Sequence, residues 1–213
     1  MGTGRLPGLV VVAWALFDDS PGPSVAANSL LHSRSSPHPD SPHGNPARIV
    51  AVIRTQTVIC APIERVFDLA RSVELHVLTS VATEERAVAG KTSGLLGMND
   101  SITWEAKHLG VRQRLTGAIV EFERPRFFRD QMTRGAFHSL THGHRFDPVQ
   151  GGTVMTDVIE FRSTFIPNGG IIDSWIVGPH LERYIKERNR ILKEVAESAD
   201  RWREFISDEQ PAG

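Results

Sequence analysis

The segment Phe137-His138-Ser139-Leu140-Thr141-His142-Gly143-His144-Arg145-Phe146 carries three imidazoles at even spacing. Side chains of an extended strand alternate between its faces. The pattern therefore predicts His138, Leu140, His142, His144 and Phe146 together on one face. Three imidazoles between two apolar residues make a costly plain core, and Leu140 and Phe146 do not suit a solvent face. The pattern fits the polar part of a cavity wall, where imidazoles grip a carbonyl or hydroxyl or move protons near neutral pH. The structural alternative is that they tie neighbouring strands together through Asp157, Glu160 or backbone carbonyls. A His-x-His pair on a strand also aims two imidazoles the same way, as metal sites do. No carboxylate accompanies it at motif spacing, and neither a metal nor another cofactor is expected.

Asp157 falls on one strand face with Met155, Ile159 and Phe161. Unpaired among apolar groups, its carboxyl would be raised in pKa and serve as an acid or base. Paired, it would meet Arg145 or His144. Asp130 has the same ambiguity. Trp104 and His108 share a face with Ile102, as cavity wall or as packing against the C-terminal helix, and Phe128 and Met132 read as wall residues. Arg188 lies on the apolar stripe of that helix, either as a buried anchor for an anion or with its head reaching water. Arg112 and Arg114, and the Arg183–Arg190 charges, read as solvated faces with local ion pairs. Cys60, the single cysteine, has no nucleophile constellation around it and excludes an internal disulfide.

These residues need elements to position them. Ile49 to Ile59 is β-branched and alternating, a strand. Ala61-Pro62 ends it, and Ile63, Val66, Phe67 and Ala70 recur at helical spacing, with a second short helical turn through Glu74 to Thr79. Strands follow at 82–89, 100–108, 111–122, 127–133, 137–146 and 153–165. From Leu181, through Ile185, Arg188, Leu192, Val195 and Trp202 to Ile206, the spacing predicts one long helix. Gly178-Pro179 should kink it, after a separate apolar piece at 171–176. A curved antiparallel sheet of about seven strands around a long C-terminal helix satisfies this α+β order and leaves a concave, mostly apolar space.

Residues from about Ile49 to Ala199 resemble the START/polyketide-cyclase superfamily, the helix-grip fold shared with the pollen-allergen lipid carriers. The resemblance rests on Ala61-Pro62 with Val66-Phe67-Asp68, Trp104-Glu105-Ala106-Lys107-His108, Arg124-Pro125 and Phe127-Phe128-Arg129-Asp130 with Met132. It continues through Gly135-Ala136-Phe137, His142-Gly143-His144-Arg145-Phe146, Gly151-Gly152-Thr153 and Thr156-Asp157. It implies a cavity for a small hydrophobic molecule such as a lipid or polyketide, lined by Trp104, His108, Phe128, Met132, His138, His142, His144 and Asp157. Three functions stay open: a carrier or sensor; a cyclase or dehydratase moving protons through His142, His144 and Asp157; and a protein-interaction module.

The 213 residues carry 24 basic and 25 acidic side chains, so no global field argues for nucleic acid. No apolar run is long enough to span a bilayer. Residues 1–46 hold seven of the 13 prolines, no lysine, and His32, His38 and His43. They read as a disordered extension ahead of a domain at 47–206 and a frayed tail at 207–213. The apolar run 8–17 resembles a weak secretory signal, but Asp18 and Asp19 follow it directly. A cytoplasmic protein is expected, or a secreted one if residues 1–27 act as a signal. The sequence leaves the oligomeric state open.

Overall fold

The computed structural model describes residues 50–108, 111–163 and 177–206. The chain divides into two units, Met1–Arg48 and Ile49–Gly213. The N-terminal extension with its apolar run, the apolar piece at 171–176 and the tail at 207–213 lie outside the described residues.

Seven strands form one antiparallel sheet in the order β1-β7-β6-β5-β4-β3-β2. They are β1 (Ala51–Ile59), β2 (Arg86–Gly90), β3 (Ser101–His108), β4 (Val111–Glu123), β5 (Phe127–Arg134), β6 (Phe137–Val149) and β7 (Gly152–Ser163). Two short helices follow β1, namely α1 (Ile63–Ala70) and α2 (Val73–Thr79), then a 3-10 turn at Val81–Thr83. Pro62 stands just before α1, where a missing N–H is harmless, and the Ser72 hydroxyl caps α2 by accepting from Leu75 N.

The C-terminal helix α3 spans Gly178–Glu197 and a last turn, α4, spans Arg203–Ile206. The expected kink at Gly178-Pro179 is instead the start of α3, because proline in a first turn costs no hydrogen bond. The helix also stops earlier than expected, at Ser198, so Trp202 and Ile206 lie beyond it. Its buried side presents Ile185, Arg188, Asn189, Leu192, Val195 and Ala196.

Two apolar clusters flank the middle of the sheet. In one, Phe67 of α1 meets Phe122, Phe128 and Phe146 edge-on at 5.4, 5.5 and 5.2 Å, with Leu192 and Val195 of α3 in the same cluster. Such ring pairs contribute about 0.5–1.5 kcal/mol each beyond area burial. In the other, Ile53, Ile159 and Phe161 pack with Ile185. Between the two clusters the sheet carries polar side chains.

Gly152 opens β7 where the chain passes the end of β1. A Cβ there would overlap the Ile59 carbonyl oxygen and crowd Cys60 Cα, both backbone atoms. Gly152→Ala is therefore expected to lose at least about 2 kcal/mol of stability, read from the midpoint of urea unfolding. An unchanged midpoint would mean that the two strand ends separate freely.

Candidate ligand-binding site on the concave face

Strand register builds the site as two adjacent rungs across the sheet. One rung pairs Thr55 with Asp157, Asp157 with His144, His144 with Phe128 and Phe128 with Phe122. The next pairs Ile53 with Ile159, Ile159 with His142, His142 with Asp130 and Asp130 with Ile119. Alternation brings His142, His144, Asp130 and Asp157 to one face, among apolar neighbours on both sides.

Asp157 is the hub. Its Oδ1 lies 2.9 Å from His142 Nε2 in a hydrogen bond and 3.0 Å from His144 Nδ1. The second contact is close enough for an ion pair but out of line for a hydrogen bond. Oδ2 accepts from Asn189 Nδ2 of α3 at 2.6 Å and, at 3.5 Å, from the Thr55 hydroxyl. Asp130 Oδ2 lies 3.4 Å from His144 Nε2. The two imidazoles stand 3.9 Å apart, and His144 stacks on Phe128 at 4.3 Å.

The charges follow from this geometry. Burial pushes the Asp157 carboxyl up, but the two imidazoles outweigh it and hold it well below the usual range. Burial and then the charge of His144 lower His142. Burial also pushes His144 down, but Asp130 and Asp157 on either side raise it above an ordinary histidine. Two neighbouring imidazoles are thus driven apart, His142 toward a base and His144 toward an acid.

A second polar group lies beyond Asp130. The Tyr184 hydroxyl of α3 donates to Glu85 Oε2 at 2.6 Å and lies 2.7 Å from the Ser80 hydroxyl. His76 Nε2 is 3.2 Å from the same Glu85 oxygen, and its ring stacks on Trp104 at 3.9 Å. Arg188 is buried and donates to the Ala70 carbonyl at 3.1 Å. Its charge reaches His76, Asp130, His144 and Tyr184, so both polar groups share one interior.

The structure brings together His142, His144 and Asp157, with Phe128 beside them and Met132 two residues from Asp130 along β5. His138 does not join them. A bulge between Phe137 and Ser139 adds one residue to β6, so His138 is exposed while Phe137 and Leu140 both pack inward. Trp104 is buried with Val73 of α2 and Ile102, not against the C-terminal helix. The His108 side chain lies outside the described residues. Arg145 pairs with Asp147 on the exposed side, so it is not the partner of Asp157. Arg112 and Arg114, with Arg86, converge on Glu105 of the neighbouring strand, a fuller ion-pair group than a solvated face. The outer side of α3 carries the expected ion pairs, Lys186 with Glu182 and Arg190 with Glu187.

Sequence reasoning missed Asn189, Thr55, His76, Glu85 and Tyr184. Asn189 had a signal, since it stands four residues after Ile185 and three before Leu192 on the buried stripe. Asp130, His142 and His144 could hold a metal ion, since each offers a ligand atom within 4.8 Å of the others.

The model of the polyketide cyclase / dehydrase and lipid transport family matches residues 50–197. The chain belongs to this family. Among solved structures it is similar to a Thermus thermophilus protein at 22% identity, covering 70% of this chain and 100% of that one, with a TM-score of 0.58. It is also similar to the Zhui aromatase/cyclase of Streptomyces sp. R1128 at 10% identity, covering 70% and 94%, TM-score 0.58. A ginseng major latex-like protein of Panax ginseng matches at 13% identity, covering 70% and 99%, TM-score 0.53. At these identities the likeness establishes the helix-grip fold. A search of curated proteins returned no significant match. Among the described residues no helix is long and apolar enough to cross a membrane.

Proposed function

We propose that the domain encloses a small, largely apolar molecule bearing a carbonyl or hydroxyl group, with its oxygen against His142, His144 and Asp130. One observation carries this reading. Asp130 keeps 31% of its side chain accessible while the His144 side chain beside it is 3% accessible, so a ligand oxygen can reach the carboxylate at the edge of the buried pair. Apolar walls with a few fixed polar groups are the usual make-up of a small-molecule site. Burial of the ligand's apolar surface, about 25 cal/mol per Å² before ordering costs, supplies the affinity. The family description, which names polyketide cyclase / dehydrase and lipid transport, supports that chemical class.

A second reading has its own support. His142 and His144 have opposite pKa displacements and share one carboxylate oxygen, which suits paired base and acid work at an enolisable carbon. In that reading His142 takes a proton from the carbon and His144 gives one to the departing or enolising oxygen.

Native mass spectrometry of the full chain from its own host, with extraction of bound molecules, tests both readings. A stoichiometric apolar molecule recovered unchanged after incubation supports the carrier. Turnover that falls at least about 100-fold in both His142→Gln and His144→Gln, with the molecule still bound, supports the enzyme. Protein that carries nothing and takes up no apolar fluorescent probe overturns the proposal.

A further inference from the structure

We propose that Asp130, His142 and His144 form a binding site for one divalent transition-metal ion, with Asp157 as the carboxylate that orients both imidazoles. Two imidazoles and one carboxylate, with no thiolate, suit zinc or ferrous iron, and three protein ligands leave a position open. Two ligands of a tetrahedral zinc at about 2.0–2.1 Å stand roughly 3.4 Å apart. Asp130 Oδ2 and His144 Nε2 already stand 3.4 Å apart. One ring nitrogen of His142 lies within 4.8 Å of that pair.

A metal-bound imidazole almost always gives its other nitrogen to a carboxylate or carbonyl, which fixes tautomer and ring plane. Here His142 Nε2 makes that bond to Asp157 Oδ1, and His144 Nδ1 lies 3.0 Å from the same oxygen as an ion pair, which leaves His142 Nδ1 and His144 Nε2 without a contact to that carboxylate. Asn189 and Thr55 hold the other oxygen of the same carboxylate.

A bound ion would face the accessible side of Asp130 and polarise a ligand oxygen there. The imidazoles would then hold the ion in place of a proton, so the acid–base reading applies to metal-free protein. Metal binding itself does not rest on the ligand proposal, and ligand extraction from metal-free protein tests that proposal separately.

The full chain, stripped by chelator, is titrated with Zn²⁺ by calorimetry and followed by thermal unfolding, with Co²⁺ as a visible-absorption probe. The expected result is one stabilising ion per chain, with Tm rising by roughly 5–10 °C at a hundredfold excess over Kd. Asp130→Asn, at a partly accessible position, and His144→Gln each abolish the Tm rise and the Co²⁺ band. Asp157→Asn weakens binding by about 10–100-fold. Unfolding of each metal-free variant, measured alongside, separates lost binding from lost fold. The proposal is overturned if wild type gains no stability from Zn²⁺. It is equally overturned if folded Asp130→Asn gains the same Tm as wild type, which would place the ion at other histidines.

Discussion

Asp157→Ala is expected to destabilise the domain by about 3–5 kcal/mol, the largest loss of any single polar substitution on the concave face. The carboxylate is 2% exposed and belongs to a strand paired on both sides. Removing it strands His142 Nε2, Asn189 Nδ2 and the charge carried by His144, none of which can turn to bulk water. Each orphaned buried donor costs about 1–3 kcal/mol. It also removes the group that, with Asp130, holds His144 above its ordinary pKa, so His144 should titrate lower in this variant. Urea unfolding at pH 7 measures the loss, and a double-mutant cycle with Asn189→Ala should give a coupling of roughly 1–3 kcal/mol. A loss below about 1 kcal/mol, within the range of an ordinary surface change, would show that the network contributes little to the fold.

The second large effect concerns Glu85 and acid. Burial pushes its carboxyl up, but His76, the Tyr184 hydroxyl and Ser80 outweigh burial and hold it down to about 2, against an ordinary value of 4.5. Burial keeps His76 below its usual value at neutral pH. As pH falls that imidazole takes up its proton beside the carboxylate and supplies the opposing charge. The folded pKa lies below the unfolded one, so the stabilisation is present in full above pH 4.5. It is lost as pH falls from 4.5 to about 2. The contribution is on the order of 3 kcal/mol. Glu85→Gln should therefore be less stable than wild type at pH 7, with the gap closing across that window and absent below it. His76 and His142 act at higher pH. Both are lowered, so they subtract stability as pH falls below 6.5 in either protein. A gap that stays constant from pH 7 to 2 would contradict the assignment.

Much of the fold was legible because it rests on periodicity. The alternation in β1 and β7 and the three- and four-residue steps of α3 are direct consequences of burying one face, and tertiary packing did not override them. His142, His144 and Asp157 were legible for the same reason. His138 was misplaced because a bulge adds a residue without any change in composition, so alternation counted from Phe146 holds only back to Leu140. Glu85, His76 and Tyr184 were invisible because they come from three separate segments that no local pattern links, and 99 residues separate Glu85 from Tyr184. Asp130 was seen, but its role depends on a register, opposite His142, that no local pattern encodes. Arg188 could be placed on the buried stripe, while the choice between an outward and an inward head needed the packing of α3 against α1 and the sheet.

The bulge in β6 has a consequence for how this protein can change. A one-residue shift in a regular strand turns every side chain to the opposite face. In β6 the extra residue sits between Phe137 and the histidines, and both flanking sides already point inward. Deleting His138 or Ser139 would restore strict alternation without turning Leu140, His142 or His144 outward. The approach to the strand can therefore gain or lose a residue while the reactive face stays in phase. Variation in that approach is insulated from the site, and relatives can differ in length there while presenting the same side chains to the interior.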